Sequence, residues 1–132
     1  MIDPSLGLPT IHMAVPMPGF PAHRDFVLVR LNEDGLLYAF TSIQDPDLRF
    51  LVAPPEPFFP DYAPEIEQDV FQALNTKDPD RLLLMAVITA GTDETTANLM
   101  APIVVDRDTM RAVQVVLSGS GYPVRAIMHR AY

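Results

Sequence analysis

Cysteine does not occur in the 132 residues, so neither a disulfide nor a thiolate-held zinc can form. A fold that must do without both suits a reducing compartment. Long apolar runs are missing too: the longest, residues 82–88, has seven residues, against about 20 for a helix that crosses a bilayer. No membrane span is expected. The opening MIDPSLGLPT has no basic stretch ahead of an apolar one, so it does not read as a secretory signal. These absences point to a cytoplasmic protein.

Catalytic and cofactor signatures are equally scarce. His12, His23 and His129 stand far apart, without the H-x-x-x-H or H-E-x-x-H spacing of a metal site. Gly119-Ser120-Gly121 belongs to neither a nucleophile elbow nor a phosphate loop and reads as a flexible turn. The pairs Asp45/Asp47 and Asp78/Asp80 flank prolines, where aspartate favours turns and caps. No cofactor, no metal and no enzymatic activity are expected. Lysine is present once, and the aromatics sit among acids, so direct nucleic-acid binding is not expected either.

What the chain does have is negative charge, proline and short apolar runs. The formal net charge is −8, and all the surplus lies in the middle: residues 33–94 hold thirteen acids and three bases, whereas residues 1–32 balance at two each and residues 95–132 carry two acids and four bases. A field of that sign repels phosphate and attracts basic partners. Plain solubility charge is the competing reading. The fourteen prolines fall between apolar runs, as turn punctuation does in a β-rich domain.

Taken in order, residues 11–15 suggest a short edge strand, ended by VPMPGFP. Residues 26–31 and 36–43 flank an Asp34-Gly35 hairpin turn. Residues 48–53 form the next strand. The stretch APPEPFFPDYAPE, residues 53–65, has five prolines and cannot be interior ladder. Residues 65–75 then read as one short helix, with Ile66, Val70, Phe71 and Leu74 on one side and Asn75 as a left-handed stop. The run 82–88 is apolar on both alternating faces and so requires cover on two sides, as a central strand does. After a turn at 91–94 comes a Thr-rich strand containing Pro102, which suggests a bulge or an edge. Residues 112–117 alternate, and residues 122–128 suggest a last strand before a short basic tail with His129 and Arg130. The expectation is a single all-β domain over 1–132, mainly antiparallel: a small barrel-like roll of about eight strands with one short α-helix.

Three features exceed simple structural need. Phe58, Phe59 and Tyr62 lie in the proline-rich crossover, where they either plug an open end of the barrel or form an exposed docking patch. Asn98 and Gln114 interrupt apolar strands, where a buried amide needs partners. Acids surround the aromatics, a combination suited to a partner with apolar and basic groups. On this local argument the candidate partner-binding residues are Phe58, Phe59, Asp61, Tyr62, Asp45 and Asp47.

Read together, VPMPGF (15–20), DFVLV (25–29), TSIQDPDLRFLV (41–52), PFFPDY (57–62), LLLMAVIT (82–89), NLMAPIVVDRDTMRAVQVVL (98–117) and GYPVR (121–125) resemble the flagellar assembly factor FliW family over nearly the whole chain. The resemblance implies a small antiparallel β-barrel, a cytoplasmic non-enzyme, and two protein partners: flagellin and the RNA-binding translational repressor CsrA. It implies an anti-repressor that holds CsrA until new flagellin displaces it. Two other readings stand beside it, a flagellin-binding holdase without a regulatory role and a small-ligand-binding barrel. The first strand and the turn before Pro18-Gly19-Phe20 look shortened relative to that family pattern, as does the loop at 91–94.

Overall fold

The computed structural model describes residues 10–128; the N-terminal stretch and the basic tail at 129–132 lie outside it. Eight strands form one sheet: β1 (Thr10–Met13), β2 (Asp25–Arg30), β3 (Tyr38–Ser42), β4 (Arg49–Ala53), β5 (Leu82–Ala90), β6 (Thr95–Asp106), β7 (Arg111–Gln114) and β8 (Ala126–Ile127). One helix, α1 (Gln68–Leu74), and a 3-10 turn at Pro79–Arg81 lie between β4 and β5. The order β5-β4-β3-β2-β1-β7-β6 closes on itself because β5 also pairs with β6, and β8 attaches to β6 outside the ring. The result is a seven-stranded barrel with one external strand, antiparallel everywhere except where β1 runs parallel to β7.

That parallel contact corrects one expectation. The first strand is not an edge; it sits between β2 and β7 and closes the barrel, with His12 opposite Arg111 and Met13 opposite Ala112. Closure gives it a neighbour on each side, which is why a four-residue strand can be interior. Two other expected strands are shorter. The run 112–117 leaves regular pairing after Gln114, and only Ala126–Ile127 of 122–128 forms a ladder. The helix begins at Gln68, with Glu67 still extended at ψ 165, so Glu65 and Ile66 precede it. It ends as expected at Asn75, in the left-handed region at φ 57.

Strand alternation sorts the apolar residues into three groups. Ile11, Met13, Phe26, Phe40, Val52, Met85, Ile103, Val105 and Ala112 fill the barrel. Phe26 and Phe40 stack there at 4.3 Å, nearly parallel at 4°. On the outside, Val70 and Leu74 of α1 cover Val104 and Val113, and a second patch over Ala53, Ala86, Ile88, Ala97 and Leu99 lies beneath the proline-rich crossover. These covers account for the two-faced apolar character of β5. Leu83, at the end of the strand, is left 39% exposed.

The strand β6 changes partners along its length by means of a bulge. Met85 pairs with Ile103 but Val87 pairs with Asn98, so residues 99–102 loop out opposite Ala86. Pro102 lies within that loop, where its missing donor does no harm. The two amides flagged in the sequence hold it. Asn98 Oδ1 accepts from the N–H of Met100 (3.0 Å) and of Ala101 (3.1 Å), and Gln114 Nε2 donates to the Ala101 carbonyl (3.1 Å).

At the far end of β6, Asp106 is fully buried. Arg81 meets both its oxygens, at 3.1 and 2.9 Å, and the N–H groups of Asp108 and Thr109 donate to Oδ1. This ties the entry of β5 to the β6–β7 turn. Burial raises the carboxyl's pKa, but the Asp108 and Thr109 N–H groups and the Arg81 guanidinium outweigh it and hold the group below the usual 3.8. A depressed folded-state pKa stabilises the fold above the usual value and loses that contribution as pH falls through the folded one. Asp106→Ala is expected to lower unfolding free energy by about 3 kcal/mol in urea titrations at neutral pH. The parent's advantage over the variant should shrink below the usual aspartate pKa; an unchanged gap in acid would refute the assignment.

Candidate functional site

The crossover that carries Phe58, Phe59 and Tyr62 starts where β4 ends and runs outside the barrel. The N–H groups of Phe58 and Phe59 both donate to the Pro55 carbonyl, and Tyr62 N–H donates to the Phe59 carbonyl, so the prolines and these turns form a compact cover. The three rings pack against Ala53, Ala86, Ile88, Ala97 and Leu99 together with Leu51 and Tyr122. They therefore lie over the outer face of the barrel wall and plug neither end. Tyr62 is fixed most firmly: its hydroxyl donates to the Leu99 carbonyl at 2.7 Å, and its ring meets Tyr122 edge-on at 4.7 Å. Burial, with a smaller contribution from neighbouring Tyr122, pushes the Tyr62 phenol up to about 12.

Phe58 does more than cover the wall. It forms one side of an open groove of about 730 Å³ whose apolar surface comes from Leu36, Leu37, Leu51, Ile88, Ile127 and Met128. Asp34, Asp93 and Glu94 also line the groove, and among the described residues no basic side chain lines it. Local chemistry sets this shape. Asn32 Oδ1 accepts from the N–H of Leu36 and Leu37, and Asp34 Oδ1 also accepts from Leu36 N–H, which fixes the turn at Gly35, φ 73. On the other side Gly91 N–H donates to the Glu94 carbonyl at 2.9 Å, and a Cβ at Gly91 would meet that oxygen at 2.6 Å. The 91–94 loop is therefore restricted to glycine at its first position.

The predicted acids are dispersed. Asp61 is exposed on the crossover beside the aromatics. Asp45 and Asp47 sit in the β3–β4 turn, where Asp45 Oδ1 accepts from Asp47 N–H at 3.0 Å. That turn follows the Thr41–Arg49 pair, whereas the groove lies beyond the Tyr38–Val52 pair, so the two lie at opposite ends of one hairpin. Asp34, Asp93 and Glu94, which the local argument missed, take their place at the groove. The 33–94 charge surplus contained all three, but only the pairing of β3, β4 and β5 brings the two loops together.

The two described histidines are structural in setting. His12 Nδ1 lies 2.6 Å from Asp25 Oδ1, and His23 Nδ1 lies 2.8 Å from Ser42 Oγ. Among the described residues no three His, Asp or Glu side chains converge as metal ligands, and no helix is long and apolar enough to cross a membrane.

Comparison with known proteins gives a consistent answer. A family model described as FliW protein matches residues 7–128. The flagellar assembly factor FliW of Bacillus licheniformis is 38% identical over 108 residues, covering 80% of this chain and 76% of that protein. The Bacillus subtilis protein of the same name is 33% identical over 111 residues, covering 83% and 78%. A crystal structure of the flagellar assembly factor FliW superposes with a TM-score of 0.83 at 27% identity, over 93% of this chain and 85% of that one.

Removing the Tyr62 hydroxyl and removing its ring should separate its two contributions. Tyr62→Phe is expected to lower stability by about 1 kcal/mol and Tyr62→Ala by about 3 kcal/mol in chemical denaturation. Equal losses would show that ring packing over the barrel wall contributes nothing.

Proposed function

This chain belongs to the FliW family of non-enzymatic flagellar assembly factors, and from that premise we propose that it acts in the cytoplasm by exchanging two protein partners, flagellin and a CsrA-type RNA-binding repressor. While it holds the repressor, flagellin messenger is translated; newly made flagellin then takes its place and frees the repressor. The observation that carries this reading is the groove beside Phe58, whose surface is apolar and whose charged lining among the described residues, Asp34, Asp93 and Glu94, is acidic. Apolar surface favours a docked segment with apolar side chains, and the acids select one that is also basic.

The charge surplus of residues 33–94 supplies the second half of the mechanism. A repressor that binds RNA must present basic groups to phosphate. An acidic protein is steered toward such a surface, and once bound it disfavours RNA by like-charge repulsion even where it leaves the RNA-binding residues uncovered.

Stopped-flow mixing with purified repressor tests this. The association rate should fall about tenfold between about 50 and about 300 mM salt, and Asp34→Lys with Glu94→Lys should slow it further at low salt. Adding flagellin to the preformed complex should release the repressor. A salt-independent rate would refute steering, and binding of flagellin alone would favour a holdase instead.

A further inference from the structure

A second groove lies elsewhere on the barrel and shares no residue with the first. It has about 360 Å³ between the segment leading into α1 and the segment following β7, and its walls include Glu65, Glu67 and Asp69 on one side and Val115, Val116 and Leu117 on the other. Among the described residues no basic side chain lines it.

The backbone along one wall is unfinished ladder. Val115 N–H donates to the Pro102 carbonyl at 2.9 Å and Leu117 N–H to the Met100 carbonyl at 2.7 Å, so alternate residues of this segment face β6. Residues between them face the other way, toward the position that β1 occupies beside Ala112. There the Ala14 N–H still donates to the Ala112 carbonyl at 2.8 Å, but after Ala14 the chain departs toward the buried Met17. Beyond that point no described residue continues the pairing that β1 made. Val116 N–H has no protein partner among the described residues, and Val116 is 54% exposed. An open strand edge of this kind is a template for an added strand.

The opposite wall is unpaired in charge. Among the described residues Glu65, Glu67 and Asp69 form no salt bridge. Glu67 occupies the N-cap position of α1 yet makes no side-chain cap bond, so its carboxylate is uncommitted. We propose that this groove is a second docking site, independent of the groove beside Phe58, for a short extended segment rich in lysine or arginine. The segment adds a strand along Val115–Leu117 and sets its basic side chains against Glu65, Glu67 and Asp69.

The test uses the full chain and a nine-residue peptide alternating lysine with valine, followed by fluorescence anisotropy at low salt and by amide chemical-shift mapping. Shift changes are expected at residues 65–70 and 115–120 and not at 34–37 or 91–95. Replacing the lysines by glutamate should abolish binding. Methylating alternate peptide nitrogens should weaken it about tenfold, as should Glu65→Lys with Glu67→Lys in the protein. Asp34→Lys with Glu94→Lys should leave it unchanged, which separates this site from the first groove. Shifts confined to the first groove, binding indifferent to N-methylation, or equal binding of the glutamate peptide would each overturn the proposal.

Discussion

A barrel closes only if the strands that would otherwise be its two edges pair with each other, and here β5 and β6 do so across a break in their register. The first half of β6 is held by β5 and β8, its second half by β5 and β7. The four-residue bulge between Asn98 and Ile103 makes the change, and it exposes backbone groups that a regular ladder would have paired. Asn98 and Gln114 satisfy them from the side. Each half-buried amide gains little net energy by bonding, but the backbone groups it satisfies would cost more if left unpaired. The bulge and the two polar residues therefore form one device.

Closure of the barrel creates a second requirement. With interior positions filled by Phe26, Phe40 and their neighbours, the outer faces of β4, β5, β6 and β7 still carry alanine, valine, isoleucine and leucine that must leave water. The chain meets this by sending residues 53–81 around the outside, first as a proline-stiffened aromatic cover and then as α1. Covers of this kind end somewhere, and both grooves lie at their margins: one where the Phe58 cover stops beside β5, the other where the approach to α1 faces the segment after β7. The grooves are a by-product of covering a barrel with too short a wrap.

The same wrap carries seven of the seventeen acids, and Asp34, Asp93 and Glu94 flank its first margin, which places charge where apolar surface is incompletely covered. Apolar area alone would invite indiscriminate association; a negative field around it favours basic groups over phosphate. Membership of the flagellar assembly factor family fits a molecule whose chemistry is confined to surfaces.

Much of this was legible in the residues. Alternation in 26–31 and 36–43, the Asp34-Gly35 turn, the two-faced run at 82–88, the Asn75 stop and the disruptive Pro102 each reflect interactions among residues close in sequence, so a local reading located them and the barrel class followed. The pairing of β1 with β7, the covering rather than plugging role of Phe58, Phe59 and Tyr62, and the meeting of Asp34 with Asp93 and Glu94 were not legible. They depend on which strands become neighbours when the ring closes, and closure brings together segments whose order in the chain carries no trace of that contact. Composition and local pattern determined what kind of surface this protein would present; only tertiary closure decided which residues share it, because a groove belongs to the space between strands and to no single one of them.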